Sequence, residues 1–229
     1  MKYISYFIFI LSALWNSAGA DMVLNKSIVY FEPRESNKQD IEIENVGTEP
    51  LYVKVEPKIV KQPGTDQQIR EPYNDPTKSG LLVSPNKLVI PPGGRKLVRF
   101  VNLRPNPTEE HVYRVSVSPV VGDLVEGQSG VKILIGYEVL VLVHATNGEA
   151  ELVHTRSGKT LEIENKGNKN VLLREGIQCP NDEKNEDNCD HIPGKRLYPG
   201  NKWKVELPND MPVKFFLNSG LKNSVKIFE

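Results

Sequence analysis

The chain has 229 residues, with 29 Lys and Arg against 29 Asp and Glu. A charge so balanced excludes a general nucleic-acid or anionic-membrane binder, which needs a basic surplus. The hydrophobic fraction of 38% and charged fraction of 25% suit a folded chain, and 17 Pro with 17 Gly favour many turns over long helices.

Residues 1–20 read as a cleaved secretory signal. Lys2 precedes an apolar run from Ile4 to Trp15, and Ala18, Gly19 and Ala20 form a small-residue cleavage site before Asp21. The run is too short for the roughly 20 apolar residues of a membrane span, and Val139 to Val143 is shorter still, so no membrane anchor is expected. Removing Lys2 with the signal leaves 28 basic residues facing 29 acidic ones.

Beyond the signal the chain alternates with a period of two, the mark of strands: Leu51, Val53 and Val55; Tyr113, Val115 and Val117; Leu161 and Ile163; Val213, Phe215 and Leu217. No convincing amphipathic helix interrupts them. The chain also echoes itself: IEIENVG at 41–47 returns as LEIENKG at 161–167, 120 positions later. Each copy precedes a Pro-Gly turn that leads into a strand, at Pro92-Gly93 and Pro199-Gly200. Many short strands and a weak internal repeat predict two antiparallel sandwiches of immunoglobulin type, one over 21–145 and one over 148–229.

One strand stands out. From Val131 to Val143 every odd position is apolar. Leu140 and Leu142 make its second half apolar on both faces, while Lys132, Gly136 and Glu138 leave the first half polar on one, as at a sheet edge. An apolar edge is an aggregation hazard unless it is covered within its own domain or offered to a partner by strand addition.

Cys179 and Cys189 flank a polar stretch; in an exported chain a loop-closing disulfide is the plain reading, and a metal site from these with His191, Asp182, Glu183 and Asp187 is the sharper one, which no CxxC pair supports. His111, His144, His154 and His191 stand apart, and no glycine opens a phosphate-binding helix, so neither a catalyst nor a cofactor is expected.

Taken together, Leu81-Leu82-Val83-Ser84-Pro85, Leu88 to Gly93, Leu97-Val98-Arg99-Phe100 and Glu110-His111-Val112-Tyr113-Arg114, in that order ahead of the long strand, resemble the PapD-like periplasmic pilus chaperones. The spacing and the Tyr-Arg pair are closer to the alternative branch, of common-pilus and colonisation-factor type. The match covers about Met22 to Thr146, and the second half agrees in size and in carrying one disulfide. The resemblance implies an all-β boomerang of two immunoglobulin-like β-sandwich domains in the periplasm, whose cleft holds a pilin and hands it to an outer-membrane usher. The donated strand would be Val131, Ile133 and Ile135, with Tyr137 nearest the cleft. Glu110, through its family counterpart, and His144, at the domain joint, are assigned to the interdomain contact.

The chain also departs from that pattern. The PapD branch clamps the pilin's terminal carboxylate with an arginine and a lysine, and the aligned positions here are Ile28 and Leu140, which bind no carboxylate. Arg114, Arg99, Lys26 and Lys132 are the candidate substitutes, Arg114 first because Tyr113, Val115 and Val117 take the other face of its strand. An ion pair of Arg114 with Glu110 is the competing assignment. The competing function is a secreted two-domain fimbrial subunit or adhesin that binds a host surface or carbohydrate.

Overall fold

The computed structural model describes residues 21–120, 134–179 and 188–229. The first half contributes strands β1 (Met22–Leu24), β2 (Ile28–Phe31), β3 (Lys38–Asn45), β4 (Leu51–Lys61) and β5 (Ile69–Pro72). A one-turn helix α1 (Pro76–Ser79) comes next, then β6 (Leu81–Ser84), β7 (Lys87–Ile90), β8 (Arg95–Asn102), β9 (His111–Pro119) and β10 (Tyr137–Val143). The second half holds β11 (Leu152–Ser157), β12 (Thr160–Asn165), β13 (Val171–Gln178), β14 (Asp190–Leu197), β15 (Lys202–Glu206), β16 (Val213–Ser219) and β17 (Lys222–Phe228).

These strands form two sandwiches. In the first, a sheet ordered β1-β3-β8-β6 faces one ordered β2-β10-β9-β4-β5, with β7 also on β4. In the second, β11-β12-β15 faces β14-β13-β16-β17. The alternation seen in the sequence fills both interiors: Ile41, Ile43, Phe100, Tyr113, Val115, Val139 and Val141 are buried in the first core, and Leu161, Ile163, Leu173, Phe215 and Phe228 in the second. Each such side chain contributes about 1.5–3 kcal/mol by leaving water.

The entering chain switches sheets. After pairing β1 with β3 it crosses through Asn25, whose Oδ1 accepts from Glu42 N at 2.9 Å, and continues as β2, parallel to β10. The two-faced apolar character of the later β10 has a cause: Val139, Val141 and Val143 point into the first core, while Leu140 and Leu142 point outward onto Val60, Val112 and Tyr198 of the second sandwich. The strand begins at Tyr137; residues 134–136 lie outside it, and residues 131–133 lie outside the described part of the chain.

The repeat is a real structural unit. Asn45 Nδ2 donates to Glu49 O (2.8 Å) and Ile90 O (2.9 Å), and its Oδ1 accepts from Gly47 N. Asn165 does the same with Lys169 O (2.8 Å), Leu197 O (3.1 Å) and Gly167 N. Gly93 and Gly200 each donate to the carbonyl of their asparagine from a left-handed turn, at φ 67° and 78°, which favours glycine. Both asparagines are fully buried and satisfied.

Candidate functional site

The outward face of the β2-β10-β9-β4-β5 sheet changes character along its length. Nearest the second sandwich it is apolar, where Tyr30, Leu142, Val112 and Val60 surround Tyr198. Pairing places Ile28, Leu140, Arg114 and Lys58 side by side in the next row, and Glu138, Ser116 and Glu56 in the row beyond. Strand β2 starts opposite Leu140, so Tyr137, Glu138 and Val139 pair with β9 alone and their other backbone edge is open among the described residues. Such an edge is a template for an added strand.

Arg114 is partly buried in the middle of β9 and makes no hydrogen bond or ion pair among the described residues. It lies close enough to Tyr198 to help hold down a phenol that burial pushes up. Beside it, Lys58 Nζ donates to Ser116 Oγ at 3.2 Å and stands 3.9 Å from Glu138 Oε1. Arg70 reaches across from β5 to Glu138 Oε2 at 3.0 Å. Glu56 is neutralised by Lys54 at 2.8 Å. Arg114, Lys58 and Arg70 thus face the single remaining carboxylate of Glu138, a positive surplus suited to an anion.

The other anchor candidates lie elsewhere. Arg99 is on β8, in the opposite sheet, gripped by both oxygens of Asp40 at 2.8 Å each; the guanidinium holds that carboxyl below its ordinary value. Lys26 donates to Gln39 on the same far sheet, at 3.4 Å. Both are therefore corrected from cleft residues to supports of the other layer, a distinction that alternation within one strand does not encode. Lys132, Val131 and Ile133 lie outside the described residues. Ile135 is 52% exposed. Tyr137 turns inward instead, its ring against the first core and its Oη–H donating to Met22 O at 2.9 Å, so only its backbone faces the open edge.

Glu110 does not pair with Arg114. Its Oε2 accepts from Asn170 N (3.0 Å) and Nδ2 (2.6 Å) of the second sandwich, and Asn170 Nδ2 also lies 3.1 Å from His144 Nε2. Burial pushes the Glu110 carboxyl up, against the pull of these bonds. On the other side of His144, Nδ1 is 3.0 Å from Glu32 Oε1, and Lys169 Nζ is 3.1 Å from Glu32 Oε2. Burial would raise Glu32 too, but the bonds and charges of His144 and Lys169 outweigh it and bring the carboxyl to about 2. Glu110 and His144 stand at the base of β9 and the end of β10, so this polar joint fixes both strands against the second sandwich.

Cys179 and Cys189 are bonded to each other, with 2.14 Å between sulfurs. That removes both thiolates from any metal set; Asp182, Glu183 and Asp187 lie outside the described residues, and His191 pairs with Glu175 at 2.7 Å. Sequence reasoning missed Lys58, Arg70, Glu138, Tyr198 and Asn170. Their only signal is position on an outward strand face, which becomes informative once the register is known.

No protein-family model matches this chain. The B protein of the CS1 fimbriae of Escherichia coli, a fimbrial subunit by name, is 30% identical over 200 residues, covering 82% of each chain. The A protein of the CFA/I fimbriae of the same organism, also a fimbrial subunit by name, is 24% identical over 191 residues, covering 80% of this chain and 79% of its own. The fold matches the crystal structure of the class 5 fimbriae chaperone CfaA with a TM-score of 0.65 at 22% identity, over 90% of this chain and 98% of that one. A structure of the chaperone–tip adhesin complex of CFA/I fimbriae gives 0.63 at 23% identity, over 91% of this chain and 98% of that one. By sequence and by fold together, this chain belongs to the PapD-like pilus chaperones, on the class 5 branch that includes the CS1 protein.

Proposed function

We propose that this chain is a periplasmic chaperone that holds a pilin by lending it a strand and delivers it to an outer-membrane usher. The observation that carries the reading is the open edge of β10 at Tyr137 to Val139, one strand away from an unpaired Arg114. The incoming strand adds to that edge through main-chain bonds, while Ile135 and, by sequence, Val131 and Ile133 fill its apolar groove. Three such side chains contribute a gross 5–9 kcal/mol, roughly 1.5–3 each, before ordering costs. Arg114, with Lys58 as cross-strand neighbour, takes the pilin's terminal carboxylate. Ile28 and Leu140, which occupy the PapD-branch anchor positions, are cross-strand partners in that same row, so the charge moves one and two strands inward from them.

The two sequence relatives carry the names of fimbrial subunits and so favour, as a second reading, a structural role in the fibre. Against it, the first core is filled by strands of this chain, with β10 seated between β2 and β9. Co-expression of the chain from Asp21 onward with candidate pilins from neighbouring genes separates the two. A one-to-one complex is expected with the wild type and is lost in the double variant Ile133→Asp, Ile135→Asp; equal recovery with both overturns strand lending. Arg114→Ala is expected to weaken recovery with an unchanged melting temperature, whereas a loss of folding would make Arg114 structural.

A further inference from the structure

Glu138 is itself a carboxylate within the cationic patch. It sits on the outward face of β10, two residues before Leu140, and groups from three other strands converge on it. Ser116 Oγ–H on β9 donates to Oε1; Lys58 Nζ on β4 is 3.9 Å from Oε1; Arg70 Nη1 on β5 donates to Oε2 at 3.0 Å. Arg70 starts at the opposite end of the strand order, so its side chain spans β4 and β9 to arrive there. Arg114 shares a row with Lys58, yet it has no anionic partner among the described residues. The Glu138 side chain is 37% exposed and those of Lys58 and Arg70 are 31% and 44% exposed, so the cluster is wet and its bonds exchange readily.

We propose that Glu138 is a built-in competitor for the anchoring cations: it holds Lys58 and Arg70 in the free chain and shares them with the terminal carboxylate of a bound pilin. It thereby sets how tightly that carboxylate is gripped. The inference rests on the carboxylate-anchor reading above. Its physical basis is that one cation cannot serve two carboxylates at full strength, and that a negative charge beside Lys58 lowers the attractive potential one strand away at Arg114. The consequence suits a carrier that must release what it holds, because an anchor opposed by its own acid stays below its greatest strength.

The test uses the last strand of the pilin recovered by co-expression, made as a peptide with a free terminal carboxylate and again as its amide. Glu138→Gln keeps the shape of the side chain and its bonds to Ser116 and Arg70 while removing the charge. Release of the free-acid peptide from Glu138→Gln is expected to slow about three- to fivefold, the range of an exposed charge pair. The gain should shrink in high salt, vanish for the amide and vanish in an Arg114→Ala background. Unchanged or faster release of the free acid overturns the inference, and Glu138→Ala, which also deletes the hydrogen bonds, exposes a merely positional role by weakening both peptides. If Arg114→Ala leaves free-acid binding intact, the anchor reading fails; if Arg114→Ala weakens it and Glu138→Gln does not slow release, only the competitor fails.

Discussion

Glu32 and Glu110 flank the same imidazole, His144, yet respond to their surroundings in opposite directions. Glu32 is drawn to about 2 from an ordinary 4.5 because, despite burial, His144 and Lys169 favour its charged form. Glu110 is raised because burial outweighs the bonds it accepts from Asn170. As pH falls toward 4.5, Glu110 takes up a proton more readily folded than unfolded, which adds stability. Below 4.5 the unfolded chain protonates Glu32 while the folded chain resists down to about 2, so stability contributed by Glu32 is lost across that window. Urea midpoints measured against pH should therefore decline for the wild type from 4.5 downward. Glu32→Gln should be less stable at neutral pH and show a shallower acid decline. Parallel curves for the two proteins would show that Glu32 does not couple the joint to protons.

At the level of elements, the strands and their turns were legible in the sequence because alternation and the Asn-x-Gly echo are local signals. The echo proved to be a buried hydrogen-bonded unit built around Asn45 and Asn165. The extent of β10 and the anchor were legible only in part. Arg99 and Arg114 look alike along the chain, since each alternates with apolar neighbours. Only sheet order separates them, putting one on Asp40 and the other beside Lys58. The asparagine units also predict a difference. Asn45→Ala leaves three backbone groups without their side-chain partner within one sandwich. Asn165→Ala does so next to the joint, because its turn carries Lys169. Each should cost about 1–3 kcal/mol in urea unfolding. Only Asn165→Ala should also loosen the two sandwiches, read as faster proteolysis between residues 144 and 152.

For the whole molecule, the second copy of that turn has become the contact with the first sandwich. The repeat matches Glu49 and Pro50 with Lys169 and Asn170, and Pro91 and Gly94 with Tyr198 and Asn201. All four second-copy residues reach across: Lys169 to Glu32, Asn170 to Glu110 and His144, Tyr198 into the apolar cluster on β10, and Asn201 Nδ2 to Pro63 O at 3.1 Å. Tyr198 is the apolar part of this joint, 6% exposed against Leu140, Leu142, Val112 and Val60. Its removal leaves an apolar void between the sandwiches while both inner cores stay intact, so Tyr198→Ala should cost about 2–4 kcal/mol, less where the joint collapses around the void. Because β9 and β10 carry the anchor and the open edge and meet the second sandwich at Tyr198, loosening the joint should impair capture with no residue of the cleft face replaced. Small-angle scattering of Tyr198→Ala should show a broader distribution of domain separations, together with weaker pilin recovery. A variant that scatters like the wild type and captures equally well would mean that the polar joint alone sets the cleft.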